Sequence, residues 1–449
     1  MGTLYVDTGG SANNSGSSDN NAADLSGSAA AFVSGTTVSL LTDNPDLSGV
    51  VTSGATQSSI NIAGATNSNQ TIFWITAVDN SVGVKTVTLN VAPTGMTSNA
   101  WTIGGRHVWT ANRIEAALRA GDLVTINNSP ASASADWLTM RADGSSTSGY
   151  IKMKGATGSR PVITITNTTR CLNQASGVGG NWWFEALELV QQGASGAAVN
   201  IPEVAPVTLF NIKVSDAGAY GINFGVSGSN HLQASEITSS GTVGLNVAAS
   251  ATLLVGNYVH DVTGDGIEFA GANCSGVVSQ NIVDTCTAHG VYLSGADTSQ
   301  AQILIVAGNT VYGCGDSGLE VTDADRRVFF VNNIFSENGN AAGEYNVEWA
   351  AGAAEYVSFH GWNVFYHSGG GGGANLSNLT VNAQVASSEF TTDPAFTNAA
   401  SGNFSIGPAS PARAVGFPGA FLGGSTGYLD IGAVQRREAG VAPTYSIGM

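Results

Sequence analysis

The chain has 449 residues, with 59 glycines, 43% hydrophobic residues and only 10% charged ones. That balance argues against disorder and against long helices, and it suits many short strands joined by tight turns. Thirty-two acids against 15 bases leave a net charge of −17, which argues against binding nucleic acid or inserting into or docking on an anionic membrane, since both contacts need clustered Lys or Arg.

Lysine is scarce: only Lys85, Lys152, Lys154 and Lys213 occur. No run of apolar residues approaches the ~18 that a membrane-crossing helix needs. The start, Met1 to Asp7, has neither a basic stretch nor an apolar one, so synthesis without a secretory signal is expected. Cys171, Cys274, Cys286 and Cys314 are too few and too scattered for a disulfide scaffold, and no Cys-x-x-Cys pair suggests zinc.

Residues 1–107 read as a small antiparallel β-domain. After Tyr5-Val-Asp-Thr-Gly-Gly comes a Ser/Asn/Gly-rich run to about residue 29. Then come alternating segments: Thr37-Val-Ser-Leu-Leu, Ser59-Ile-Asn-Ile, Thr71-Ile-Phe-Trp-Ile, Lys85-Thr-Val-Thr-Leu-Asn-Val and Trp101-Thr-Ile, with turn residues between them. Such a domain either attaches the rest of the chain to something or covers its open end. Residues 111–120 are the best helix in the sequence. Ile114, Ala117 and Leu118 share a face and Gly121 stops it. The helix reads as a cap on a stack of strands whose first member is Asp122-Leu-Val-Thr-Ile.

A repeat then governs the chain. Asn211-Ile-Lys-Val-Ser, Ser235-Glu-Ile-Thr-Ser, Asn257-Tyr-Val-His-Asp, Asn281-Ile-Val-Asp-Thr, Asn309-Thr-Val-Tyr-Gly and Asn333-Ile-Phe-Ser-Glu start 24, 22, 24, 28 and 24 residues apart. Nine residues after most of these starts stands a glycine opening a short strand, as in Gly244-Leu-Asn-Val, Gly266-Ile-Glu-Phe, Gly290-Val-Tyr-Leu and Gly318-Leu-Glu-Val. In each, the second and fourth residues are apolar and the third is polar, which points Ile267 and Phe269 inward and Glu268 outward. The glycine supplies either an unusual φ or room at a tight corner. Leucine-rich repeats share the period but not the signature, and propeller blades are longer. The expected fold is therefore all-β: a right-handed parallel β-helix over 108–368 that includes the capping helix, preceded by the β-domain and closed by a segment over 369–449.

The Asn-x-[Val/Ile]…Gly-[Ile/Leu/Val]-x-[Phe/Leu/Val] coils resemble pectate-lyase-like parallel β-helix proteins of bacteriophage virions. The tail strengthens the resemblance with Asp393-Pro-Ala-Phe, Ser410-Pro-Ala-Arg-Ala-Val-Gly and Asp430-Ile-Gly-Ala-Val. The likeness covers about residues 105–436. It implies a virion structural protein, whether tailspike, fibre or head decoration. It also implies a homotrimer joined to other virion proteins through its N-terminal domain and presenting the β-helix to cell-surface polysaccharide. Such a protein is made in the host cytoplasm and ends on an extracellular particle. The fold hosts other functions too, so a polysaccharide-degrading enzyme and a bacterial surface adhesin stand as alternatives.

Stacked coils turn equivalent positions into rows ~4.8 Å apart. The outward position two after the glycine reads Asn223, Asn246, Glu268, Tyr292, Glu320, then Glu348. The position before the glycine reads Tyr220, Val243, Asp265, His289, Ser317. Asp265, Glu268, His289 and Glu320 are thus the candidate catalytic residues on one face. Glu268 and Glu320 lie two coils apart, and carboxylates ~6.5–9.5 Å apart leave room for the water of an inverting glycosidase. A hydrolase fits these residues better than a lyase, whose base would have to be Arg326 or Arg327. The competing reading of the row is solvated surface. Asp323 and Asp325 offer a weak calcium motif, since calcium wants six or more oxygens, and no other metal or cofactor is indicated. Tyr292, Trp349 and Trp362 are candidate sugar-stacking rings, with a buried hydrophobic seam as the alternative. The Asn257, Asn281, Asn309 and Asn333 row reads as structural, and Cys286 with Cys314 as a buried thiol stack.

Overall fold

A computed structural model describes residues 3–11, 25–40, 45, 47–53, 57–63, 65, 72–81, 85–96, 99–103, 118, 120–127, 129–130, 136–140, 144, 149–175, 180–202, 206–225, 228–248, 250–272, 274–295, 303–322, 327–339, 344–349, 359–369, 376–377, 389–417 and 429–435. The chain divides into two units, Met1–His231 and Leu232–Met449. The helix expected over 111–120 falls outside the described residues, apart from Leu118 and Ala120.

In the first unit, Leu25–Ser34, Thr37–Leu40, Lys85–Leu89, Ile72–Asp79, Ser59–Ile62 and Asn99–Ile103 close into an antiparallel barrel. Closure leaves no open sheet edge. Its interior holds Val38, Ile60, Phe73, Val87, Trp101 and Ile103, all fully or nearly fully buried. Thr3–Ser11 is not a barrel strand. It pairs in parallel with Leu123–Ile126, so this opening segment is the outermost strand of the coils. The coils continue through Ile151–Gly155, Trp182–Glu185 and Val207–Phe210, each parallel to the one before. Val162–Ile165, Glu188–Gln191 and Lys213–Ser215 form a second parallel row. Leu138–Met140, Leu172–Gln174, Val199–Ile201 and Tyr220–Phe224 form a third.

The second unit repeats this three-sheet plan. A ladder sheet stacks Val243–Val247, Asp265–Phe269, Val291–Leu293, Leu319–Val321 and Val347–Trp349. A flank sheet stacks Thr252–Val255, Gly276–Ser279, Ile303–Ala307, Arg327–Val331 and Phe359–Gly361. A covered sheet stacks Glu236–Thr238, Tyr258–His260, Ile282–Asp284, Thr310–Tyr312, Ile334–Ser336 and Val364–Tyr366. Every pairing within these three sheets is parallel, and the protein is a parallel β-helix.

Three devices hold these coils in register. Aliphatic and aromatic side chains fill the interior: Val259, Ile267, Phe269, Leu304, Leu319 and Phe330 are at most 1% exposed. At each corner between the flank and covered sheets, one residue takes a left-handed φ (Gly256 +66°, Gln280 +56°, Gly308 +66°, Asn332 +59°, Trp362 +53°), and a buried asparagine comes next. Those asparagines form a ladder. The Asn257 side-chain amide donates to Asn281 Oδ1 at 2.9 Å, Asn281 to Asn309 at 3.0 Å, Asn309 to Asn333 at 2.9 Å and Asn333 to Asn363 at 3.1 Å. From Asn281 onward each Oδ1 also accepts the backbone N–H of the preceding asparagine, and each amide donates to a strand carbonyl, Asn281 to Leu254 and Asn309 to Val278 among them. The donors and acceptors are saturated, as burial of polar groups demands.

The third device is the glycine row, which is packed for space and not for φ. A Cβ at Gly266 would collide with Val283 Cγ1, the Gly290 carbonyl and Cys286 Sγ. One at Gly290 would meet the equivalent atoms of Val311, Gly318 and Cys314. None of the four glycines has a positive φ. The tight-corner reading is therefore the right one of the two that the sequence allows. Cys286 and Cys314 are buried free thiols on adjacent coils. The hydrogen bond that the Cys286 S–H makes to Cys314, together with burial, pushes the Cys286 thiol well up, so it behaves as packing.

The closing segment folds back on the covered sheet. Phe396–Asn398 and Asn403–Ile406 pair as a hairpin, and Phe390 bridges Val364. Ile334, Val364, Ala412 and Ile431 form a small core there, backed by Trp362, Phe390 and Phe396.

Candidate functional site

The site stands on the outward side of the ladder sheet. Alternation along each strand buries Ile267, Phe269, Val291, Leu293, Leu319 and Val321, which leaves Glu268, Tyr292 and Glu320 half-buried at the surface. The register carries one outward row through Asn246, Glu268, Tyr292, Glu320 and Glu348 without a slip. In the first unit, Asn173, Asn200 and Asn223 hold the equivalent outward position. Their amides bond one to the next, Asn200 to Asn173 at 3.0 Å and Asn223 to Asn200 at 2.8 Å. Within the second unit the row passes from the amide of Asn246 to the acid of Glu268.

Asp265, His289 and Glu320 converge. The His289 backbone N–H donates to Asp265 Oδ1 at 3.0 Å, and Nδ1 of its ring lies 2.7 Å from the same oxygen. Nε2 lies 2.5 Å from Glu320 Oε2. The ring stacks on Tyr292, centroids 4.3 Å apart and planes 14° off parallel. Side-chain exposure is 16% for His289, 15% for Asp265 and 21% for Glu320, so water screens these contacts only partly. Burial works against the imidazolium. The hydrogen bonds and charges of Asp265 and Glu320 outweigh it and raise His289 to about 10. At neutral pH the ring is a cation with both N–H groups committed. It clamps two carboxylates and is not available as a base.

Further groups frame this clamp. Ser294 donates to Glu268 Oε1 at 2.8 Å. Ser317 Oγ lies 3.1 Å from Glu348 Oε2 and 3.2 Å from Glu344 Oε2, while accepting the Tyr345 N–H. One hydroxyl hydrogen is thus shared between two carboxylates. Burial, with the charges of Glu320 and Glu344, pushes Glu348 above the usual carboxylate range against the Ser317 bond. Burial and the surrounding acids push the Tyr292 phenol up as well. Glu320, facing a cation, and Glu348, pushed toward its protonated form, lie on adjacent rungs.

The four expected acid and imidazole residues and Tyr292 therefore come together. The two tryptophans do not. Trp349 is fully buried, its ring stacked on Phe330 at 6.4 Å, because alternation turns its side chain inward next to Glu348. It has no surface to offer a sugar. Trp362 sits at a corner with φ +53° and packs on Phe417, 4.7 Å between centroids, within the closing segment's core. Asp323, Asp325 and Arg326 lie outside the described residues. Sequence reasoning places Glu348 on the row but not in the site. It gives no role to Ser317, which shares the row of Asp265 and His289, and it misses Glu344 and Ser294, which stand off both rows, where the period carries no signal.

A second histidine cluster occupies the covered sheet. His260 Nδ1 lies 2.8 Å from Asp261 Oδ2 and Nε2 lies 3.4 Å from Glu236 Oε1, with the ring stacked on Tyr258 at 4.1 Å. Tyr258 donates to Asp284 Oδ2 at 3.2 Å. Burial raises both the Tyr258 phenol and the Asp284 carboxyl.

Comparison with family models agrees with the architecture over residues 197–361. No curated protein matches the chain. Among solved structures, the chain is similar to the crystal structure of pectate lyase Pel9A, at 14% identity with a TM-score of 0.44, covering 72% of this chain and 90% of that one. Residues 197–361 match the family described as "Right handed beta helix region", the stretch that carries the asparagine ladder from Asn257 to Asn333 and the Asp265–His289–Glu320 clamp.

Proposed function

We propose that the protein is a β-helix that engages polysaccharide along the outward row of its ladder sheet. We further propose that it does so as a virion attachment protein. The observation that carries the glycan reading is the row itself. Glu268, Tyr292, Glu320 and Glu348 stand at successive rungs, with the Asp265–His289 pair beside them. A linear polymer of sugars, each with hydroxyl donors, matches a straight series of acceptors at ~4.8 Å spacing. The excess of carboxylates selects neutral or amino sugars there and repels acidic ones.

The flank sheet supports packing of copies against one another. Its outward side carries Leu253, Val277, Ile305 and Phe329 on one row, with Ile303 and Ile305 exposed by 40% and 38%. Among the described flank-sheet strands Arg327 is the one charged side chain, so in a chain of net charge −17 this flank is where like copies meet at least electrostatic cost. A homotrimer built on it leaves the ladder rows facing outward.

Hydrolysis is the second reading, and the Glu320–Glu348 pair favours it. A panel of host capsular and lipopolysaccharide glycans separates the two. Binding without new reducing ends supports attachment alone. Release of reducing ends that Glu348→Gln and Glu320→Gln both abolish supports the hydrolase. Failure of every glycan to bind, with the fold intact, removes the glycan reading altogether.

A further inference from the structure

The first unit carries a surface of opposite character, and it is argued independently of the acid row. On Ile151–Gly155 the outward side chains are Lys152 and Lys154, and on Trp182–Glu185 they are Trp183 and Glu185. The register sets Lys152 beside Trp183 and Lys154 beside Glu185. Lys152 Nζ stands 5.5 Å from the centre of the Trp183 ring. Tyr150 meets that ring edge-on at 6.5 Å and Phe210 lies 6.0 Å away, so the indole is fixed from two sides. Its N–H donates to Glu185 Oε2 at 3.2 Å. Trp183 nevertheless remains half-exposed, unlike Trp182, which is wholly buried.

Next to the indole, Lys154, Ser159, Arg160, Glu185 and Asn211 line a groove of ≈ 390 Å³, a size within the ~300–1,000 Å³ usual for small-ligand sites. The Arg160 guanidinium donates to Asn211 Oδ1, which fixes it at the groove wall with other N–H groups free to turn inward. Among the described residues neither Lys152 nor Lys154 is in an ion pair. Three cations meet a single acid here, in a chain whose acids outnumber its bases 32 to 15. Two of the four lysines in the whole sequence stand on this one strand.

We propose that this groove and the Trp183 platform bind a carboxylate-bearing saccharide, with the sugar against the indole and its carboxylate between Lys152, Lys154 and Arg160. An aromatic plane supplies apolar contact for a pyranose face, and Glu185 with Asn211 supplies acceptors for its hydroxyls. The cations supply a local charge complement to a carboxylate in a chain of net charge −17.

The test uses the full chain and an alginate hexamer, read by Trp fluorescence and calorimetry at low and physiological salt. Maltohexaose serves as the neutral counterpart and a DNA duplex as a polyanion without pyranose rings. Alginate should bind, maltohexaose should bind at least tenfold more weakly, and so should DNA. The double variant Lys152→Gln/Lys154→Gln should lose at least tenfold in affinity and most of the salt dependence. Trp183→Leu should lose a similar factor and the fluorescence response, with melting of both variants near that of the parent. Equal binding of alginate and DNA would mean a bare polyanion patch and overturn the proposal. So would equal binding of maltohexaose, no binding of alginate, or binding untouched in the double lysine variant. Failure at this groove leaves the acid-row reading standing, because the acid-row glycans are neutral or basic and these variants do not alter that row.

Discussion

Two rows of polar side chains climb the same coils of the second unit, and they do opposite things. The asparagine ladder from Asn257 to Asn363 is buried and satisfies itself, each side chain bonded to the next coil and to a carbonyl of a neighbouring strand or turn. The row through Glu268, Tyr292 and Glu320 is half-exposed and heterogeneous, with oxygens turned toward solvent. The same stacking geometry generates both. A polar row that closes on itself holds the coil, and one that leaves acceptors open is free for a ligand.

Breaking the buried row should cost most. Asn309→Ala removes the partner of the Asn281 backbone N–H and side-chain amide, of the Val278 carbonyl and of the Asn333 Oδ1. Each orphaned buried group costs roughly 1–3 kcal/mol. The variant should melt many degrees lower or fail to fold, as monitored by circular dichroism, and near-parental melting would mean that the ladder is not a support.

The clamp sits between the two extremes. His289 is raised from 6.5 in the unfolded chain to about 10 in the folded one. A raised folded value means that the stabilisation is complete below pH 6.5 and is lost as pH climbs through about 10. Thermal stability should therefore fall between those limits, and His289→Gln should flatten that part of the profile. Equal slopes for parent and variant would detach His289 from the pair of carboxylates.

The open row should be nearly silent in stability. Glu268→Gln keeps shape and the Ser294 contact, so its melting should change by no more than about 0.5 kcal/mol, while any glycan affinity falls. A large loss of stability would move Glu268 to the structural side of the comparison.

Much of this is legible in the sequence because solenoids make period into proximity. The spacing of Asn257, Asn281, Asn309 and Asn333 and the Gly-x-polar-apolar strands set which residues stack, and the meeting of Asp265, His289 and Glu320 is a consequence. What escapes has no period. Leu25–Ser34 is a barrel strand built largely from small residues, Leu-Ser-Gly-Ser-Ala-Ala-Ala, whose first part reads as a loop. Thr3–Ser11 reads as part of the N-terminal domain, and only its long-range pairing with Leu123–Ile126 assigns it to the coils. For Trp349 the buried alternative holds and the sugar-stacking one does not, and the alternation of Asn346-Val-Glu-Trp already turns the ring inward. The Lys152–Trp183 surface is half visible: Trp182-Trp183 in a strand must send one ring outward, but a cross-strand pair 31 residues apart leaves no local trace of the cationic neighbour.

The clamp is where coil register, outward orientation and site chemistry meet, and the imidazole of His289 reports all three. Its titration by nitrogen-resolved NMR, assigned with His289→Gln, should show both ring nitrogens protonated at pH 8 and a midpoint about 10. A midpoint near the ordinary 6.5 would show that Asp265 and Glu320 do not close on the ring, and would contradict the stacking on which the site is built.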